Sequence, residues 1–345
     1  MLVDAFGQTA SPFVAELFPA DLSQGAPADS RRPTFQSSVT PRESSKGTSV
    51  SLVMARQYMA VAGKLRGLDD RTKALEGAYK NQAKGPARMT RRIRKDFDPQ
   101  SSQFGPLEGT TLTPKNHSPE LPDVFYLHGG GYSNPPNIAH WWLTAEMAER
   151  FGTRIHLMRY PLIPEYTAKE TVAQVVESYL AARNTLEKPL IVGGDSAGGG
   201  LGLALALTLR DIGAVLPVHL ILFAPWIDLT ASTPGFDACA DRDPMLAQAG
   251  IDLAAELYAG PLDRSNPIVS PLFGDPTGLP PTTLILGTSD ALYPEGSAWA
   301  EKAELAGVDV ATFTATGGFH VFPAAYWLPE SHAALNYVKQ RISIS

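Results

Sequence analysis

Leu190-Ile191-Val192, then Gly194-Asp195-Ser196-Ala197-Gly198, then the apolar, alanine-rich run Leu201 to Leu209 decide how this chain is read. A short β-branched run, a G-x-S-x-G turn and a stretch of helical length follow one another in the order strand, turn, helix. Small residues on either side of Ser196 permit a strained turn that lifts its hydroxyl clear of its neighbours. About sixty residues upstream, Val124-Phe125-Tyr126-Leu127 reads as a buried strand running directly into His128-Gly129-Gly130-Gly131-Tyr132. Successive glycines there offer N–H groups that an oxyanion can approach without meeting side chains. The two segments are the two halves of an acyl-transfer site built around a serine.

Outward from these motifs the chain alternates strands and helices, the pattern of a mostly parallel sheet covered by helices on both faces. Strands are expected near 123–128, 154–160, 189–195, 218–224, 282–288 and 309–315, and helices near 138–151, 169–186, 197–211, 294–306 and 329–342. A strand or hairpin, antiparallel to the rest, is expected at about 100–114. The rhythm breaks between Asp228 and Pro280, an insertion with a helical stretch near 244–259. Residues 1–47 are rich in Ser, Pro and Thr and read as loosely ordered or as a clamp. From Ser49 to Arg94, Val50, Leu52, Val53, Tyr58, Val61 and Leu65 recur at helical spacing, so one or two amphipathic helices are expected. The domain reading is thus an N-terminal region, 1–99, that is partly flexible and contributes cap helices, followed by a catalytic domain over 100–345 with a cap insertion at about 228–280.

With 345 residues, 44% of them hydrophobic, the chain can bury a large core. A net charge of -6 and a pI near 5.7 give no electrostatic reason to expect nucleic acid or an anionic membrane as partner, and a small neutral molecule fits better. The Arg88 to Lys95 stretch reads as a solvated helix face. Cys239 stands alone, which excludes an intramolecular disulfide, and Met1-Leu2-Val3-Asp4 lacks a basic segment leading into an apolar core. Cytoplasmic residence is the expectation. No apolar run reaches the roughly 18 residues a membrane span needs.

The chain resembles the hormone-sensitive-lipase family of α/β-hydrolases, carboxylesterases with an H-G-G-G loop ahead of a G-D-S-A-G turn. The resemblance covers about residues 100–345. It rests on His128-Gly129-Gly130-Gly131-Tyr132, on Tyr160-Pro161-Leu162-Ile163-Pro164-Glu165 and on Gly194-Asp195-Ser196-Ala197-Gly198-Gly199. The family's acid segment appears as Ser289-Asp290-Ala291-Leu292, and its histidine segment as Gly317-Gly318-Phe319-His320-Val321-Phe322. It implies an α/β-hydrolase fold with a helical cap, and an oxyanion hole of backbone N–H groups from Gly130, Gly131 and Ala197.

This fold requires the order serine, acid, histidine. Among the histidines beyond Ser196, His320 follows an expected strand and a Gly-Gly loop, whereas His332 falls within a helix. Asp290 ends a strand at the carboxyl edge where open α/β sheets bind ligands; Asp309 begins the next strand, and an unrecognised glutamate stays open as a further alternative. Glu295 reads as a helix N-terminal carboxylate, Asp195 and Glu165 as structural supports, and Glu165 is expected to be buried and paired. His128 reads as a brace for the glycine loop, and His117, His140, His156 and His219 show no metal-ligand spacing. Tyr132, Trp226 and Phe319 are candidate substrate contacts.

The expected activity is hydrolysis of short- to medium-chain or aromatic carboxylic esters by Ser196, His320 and Asp290, with neither metal nor organic cofactor. A lactonase or amidase with the same triad is the nearest alternative. A ligand-binding protein on a hydrolase scaffold is a more distant one. Relatives often pair through the edge of the terminal strand, so a homodimer is a possible assembly.

Overall fold

The computed structural model of the protein describes residues 42–44, 47–65 and 70–343. Expectations for residues 1–41 therefore lie outside the described residues. Nine strands form one sheet among the described residues: β1 (Arg42–Ser44), β2 (Gln100–Phe104), β3 (Leu107–Leu112), β4 (Asp123–Leu127), β5 (Ile155–Met158), β6 (Leu190–Asp195), β7 (His219–Phe223), β8 (Thr282–Gly287) and β9 (Val310–Ala315). Their spatial order is β1-β9-β8-β7-β6-β4-β5-β3-β2. The β2–β3 hairpin and its junction with β5 are antiparallel and every other pairing is parallel, from Val124 opposite Ile155 and Ile191 to Leu284 opposite Thr312.

Helices supply the crossovers that parallel neighbours require. They are α1 (Val50–Leu65), α2 (Arg71–Lys84), α3 (Arg91–Phe97), α4 (Ile138–Phe151), α5 (Ala168–Leu186), α6 (Ala197–Asp211), α7 (Phe236–Ala240), α8 (Gln248–Ala259), α9 (Tyr293–Leu305) and α10 (Pro329–Ile342). Alternating side chains along each strand feed two cores. Phe125, Leu127, Leu220 and Leu222 join α5, α6 and α9 on one face, while Val124, Tyr126, Ile221 and Phe223 join α4 and α10 on the other. Both faces are buried, which is why the central strands read as continuous apolar runs rather than alternating ones.

The strands and helices expected between residues 100 and 345 fall within a few residues of the observed bounds. The N-terminal region departs further. Three helices stand where one or two are expected, and Arg42–Ser44 pairs in parallel with Thr312–Thr314 of β9 although nothing in its composition reads as a strand. Of the apolar residues expected on the inward face of α1, Leu52 is buried while Val50, Tyr58 and Val61 are exposed. Polar anchors set the rotation of this helix. The Ser49 backbone N–H and hydroxyl both donate to the Glu330 carboxylate, at 2.7 and 2.9 Å, and Arg56 donates to the Ser289 hydroxyl at 3.1 Å. In α3 the arginines do form a solvated face, with Ile93 and Phe97 buried beneath.

Candidate active site

Four parallel strands, β4, β6, β8 and β9, deliver the sequence motifs to one edge of the sheet, because parallel strands end on the same side. Ser196 sits between β6 and α6 with φ 52 and ψ −124, a conformation that L-residues adopt only under constraint. The constraint is visible: the Ser196 N–H donates to the Phe223 carbonyl at 2.9 Å, and its own carbonyl accepts from Trp226 at 2.9 Å and Gly200 at 3.0 Å. Packing permits only glycine two residues after it. A Cβ on Gly198 would lie 2.0 Å from the Leu127 carbonyl oxygen, so the turn and β4 touch backbone to backbone.

The glycine loop lies against this turn. A Cβ on Gly129 would sit 3.1 Å from the Ser196 Cβ and 2.3 Å from Asp195 Oδ2. Gly130 and Gly131 take φ of 112 and 62, and the loop closes by the Ser133 and Asn134 N–H groups donating to the Gly130 carbonyl, both at 3.1 Å. Among the described residues the backbone N–H groups of Gly130, Gly131 and Ala197 donate to no carbonyl. For Ala197 this follows from its place as the first residue of α6, where a helix leaves N–H groups unspent and carries partial positive charge.

His320 Nδ1 donates to Asp290 Oδ2 at 2.9 Å, which leaves Nε2 as the free ring nitrogen. Both residues are buried. Burial alone would depress the imidazole, but the charge and hydrogen bond of Asp290, with Asp243 and Asp195 farther off, hold it above its ordinary value. Asp290 is itself fixed by the Leu292 N–H, which donates to Oδ1 at 2.9 Å. Among the described residues no hydrogen bond joins the Ser196 hydroxyl to His320, a link that commonly tightens only when substrate binds.

Supporting residues lie behind the serine. Asp195 accepts from the Tyr126 hydroxyl at 2.8 Å and pairs with His140 Nε2 at 3.4 Å; burial opposes its charge, but these partners keep its carboxyl below the usual range. His128 Nδ1 donates to the Gly129 carbonyl at 2.7 Å, and its ring stacks on Tyr160 at 4.4 Å. Burial drives its pKa down to about 3, so it is a neutral brace for the loop. Glu295 stands in the first turn of α9, as expected, and is buried there: it accepts from the Ile227 and Asp228 N–H groups at 2.6 and 3.2 Å, and burial raises its pKa well above that of an ordinary glutamate. Glu165 is exposed, not buried and paired, because Ile163 takes the inward position and the chain turns outward after it.

Tyr132, Trp226 and Phe319 are only 1, 3 and 5% exposed. Tyr132 stacks on Tyr258 of α8 with ring centroids 3.6 Å apart, and Trp226 lies 5.7 Å from Tyr132 on its other flank. These side chains anchor the insertion to the glycine loop. Asp309 pairs with Arg341 on the surface, and His332 meets Arg150 there. Sequence reasoning missed Asp243 and Tyr258, since neither belongs to a motif and only the path of the insertion brings them near. His140 could have been found, because Asn137 and His140 stand at the spacing of a capping box that aims the ring inward. No group of three or more His, Cys, Asp or Glu among the described residues could hold a metal ion. No helix among them is long and apolar enough to cross a membrane.

Residues 124–324 match the α/β hydrolase fold family. An esterase of Acinetobacter venetianus is 32% identical over 218 residues, covering 61% of this chain and 71% of that protein. An acetyl-hydrolase of Streptomyces hygroscopicus is 30% identical over 218 residues, covering 61% and 72%. A crystal structure of a hormone-sensitive lipase from a metagenome library superposes with a TM-score of 0.76 at 25% identity, over 86% of this chain and 99% of that one. With Ser196, the glycine loop and the Asp290–His320 pair on one sheet edge, this chain belongs to the α/β-hydrolase fold family, in its hormone-sensitive-lipase group.

Proposed function

We propose that this ester hydrolase of the α/β-hydrolase fold is a serine carboxylesterase acting on short- to medium-chain or aromatic esters. The observation that carries the reading is the set of three unspent backbone N–H groups, on Gly130, Gly131 and Ala197, beside a strained serine. Donors fixed before the reaction stabilise an oxyanion without reorganising, and losing one such donor costs about 3 to 4 kcal/mol.

In the proposed reaction His320 Nε2 takes the Ser196 proton as the oxygen attacks the ester carbonyl, and negative charge passes to the oxygen held by the three N–H groups. Collapse expels the alcohol, which leaves with the proton from His320. Water, deprotonated by the same nitrogen, then releases the acid. Asp290 keeps Nδ1 protonated throughout and stabilises the imidazolium, a role supported by the 2.9 Å bond.

The preference for smaller acyl groups is supported by the acetyl-hydrolase relative and by the way the site is covered. We assign the cap to α1, α2 and the segment between β7 and β8. Arg71 of α2 pairs with Glu256 of α8 at 2.5 Å, and Gln82 of α2 donates to the Ser133 and Ile163 carbonyls at 2.7 and 2.8 Å. Thus α2 holds the insertion on one side and the glycine loop on the other.

The test is hydrolysis of p-nitrophenyl esters from acetate to palmitate by the wild type, Ser196→Ala and His320→Ala. Each substitution is expected to lower kcat by roughly 10⁴-fold or more, as for serine hydrolases generally, with circular dichroism unchanged. Full turnover by Ser196→Ala would refute the mechanism, and a wild-type optimum at palmitate would refute the substrate class.

A further inference from the structure

Consecutive backbone N–H groups on the turn that carries the triad acid are claimed by two different carboxylates. The Leu292 N–H donates to Asp290 Oδ1 at 2.9 Å, and the Ala291 N–H donates to Asp243 Oδ2 at 2.7 Å. Asp243 lies 48 residues before Ala291, in the insertion between α7 and α8. Its other oxygen accepts from the N–H groups of Met245 at 2.7 Å and Leu246 at 2.9 Å, so one carboxylate is held by three backbone donors from two segments. Two carboxylates are thereby set side by side, and donors and a cation favour the doubly ionised pair against protonation of one member. The backbone donors are the three just named, and the cation available is a protonated His320.

We propose that Asp243 is a positioning residue of the hydrolytic site, tying the insertion to the acid turn and supplying a second negative charge to the His320 imidazolium. This inference rests on the esterase reading given above, which makes that imidazolium an obligatory intermediate state. The groups facing Asp243 are Asp290 from the acid turn and His320 from the loop after β9, with Asp195 behind the serine facing His320 in turn. Asp243 is partly buried; burial and the Asp290 charge push its carboxyl up to about 6, while His320 and the backbone donors act in the opposite sense. Above that pH the second charge is present and favours proton uptake by His320. Below it the charge is lost and the imidazole must rely on Asp290.

Two flanking contacts make the same connection through packing. Met245 packs against the cluster that contains Phe319 and Phe322, the residues on either side of the His320–Val321 pair, and Leu246 packs against the opposite core. A shift of the insertion would therefore reach the histidine loop as well as the acid turn.

The experiment is a titration of the His320 ring by NMR, with the resonance assigned by its loss in His320→Ala, in the full-length wild type, Asp243→Asn and Asp243→Glu. Asparagine can still accept from Met245 and Leu246 through its carbonyl but has no charge and no second acceptor for Ala291. The His320 midpoint is expected to fall by about one pH unit in Asp243→Asn, with recovery in Asp243→Glu, and kcat on a p-nitrophenyl ester to fall about tenfold with KM little changed. An unmoved midpoint overturns the proposal. Should Asp243→Asn fail to fold, the wild type decides: coupled groups titrate in two steps, so a second inflection of the His320 resonance near pH 6 supports the assignment and its absence overturns it. Because the readout is a ring proton, a shifted midpoint in a protein that hydrolyses no ester and resists a fluorophosphonate would remove the esterase reading and leave the placement of Asp243 standing.

Discussion

At Ser196 the strain is local and its support is not. The positive φ of the serine survives because a hydrogen bond to the Phe223 carbonyl and hydrogen bonds from the Gly200 and Trp226 N–H groups fix both sides of the turn, and because Gly198 lets the turn lie directly on β4. A methyl group at Gly198 has nowhere to go, since its neighbours are the carbonyls of Leu127 and His128 at 2.0 and 2.4 Å. Gly198→Ala should therefore destabilise the protein by about 3 kcal/mol or more and remove ester turnover together with it. Thermal melts alongside p-nitrophenyl acetate assays check this, and a variant with unchanged Tm would mean that the turn has more room than the packing allows. At this scale the sequence marked residues that the fold gathers at one edge of the sheet. Ser196, Asp290 and His320 stand in motifs whose residue types are dictated by chemistry, and the 2.9 Å Asp290–His320 bond joins the two that are thirty residues apart. Tyr132, Trp226 and Phe319 were less legible, because an aromatic side chain near a site suits a core as well as a pocket, and only packing distinguishes them.

Among the elements, α8 has the most to lose from one substitution. Its Tyr258 ring lies flat on Tyr132, 5° from parallel, and this stack joins the insertion to the glycine loop. Tyr258→Ala is expected to cost about 3 to 5 kcal/mol and to lower kcat, because Tyr132 follows directly on Gly131. Tyr258→Phe should restore both, since it keeps the ring that stacks on Tyr132. Chemical denaturation and ester kinetics on the two variants are the check; equal loss in both would place the effect in the hydroxyl. The strand β1 shows the opposite case, an element invisible to pattern reading. Three residues, Arg42–Ser44, are strand because β9 offers an unpaired edge beside them, not because of their own propensity. The boundaries of α4, α6 and α10, by contrast, were readable to within a residue, since each start has its own signal: the Asn137 cap for α4, the turn at Ser196 for α6 and Pro329 for α10.

Over the whole molecule, burial of neutral histidines makes stability depend on pH. His219, the first residue of β7, is fully buried with its Nε2 on the Thr283 hydroxyl at 2.8 Å, and burial, with Arg341 adding to it, lowers its pKa to about 4. The unfolded chain protonates this residue near pH 6.5 and the folded chain does not, so its contribution is complete above about 6.5 and is lost as pH falls towards 4. His219→Gln removes the term. The stability difference between wild type and variant should shift by about 2 kcal/mol between pH 7.5 and pH 5, to the disadvantage of the wild type at the lower value. Urea melts at the two pH values measure it, and a constant difference would show that His219 takes up its proton without unfolding. His128, with a pKa near 3, acts in the same sense.

The sequence by itself determined the class of fold, the order of its central elements and the strained turn at the serine, because these depend on short-range constraints: hydrophobic runs of strand length, helical periodicity, and a turn that only small residues can make. Tertiary structure alone decided the rest. It brought Asp243 to the acid turn across 48 residues, stacked Tyr258 on Tyr132, rotated α1 by way of Ser49 and Glu330, and made a strand of Arg42–Ser44. Each of these depends on where a long connection finds its partner, and that is set by the summed packing of the whole chain rather than by the residues of the connection.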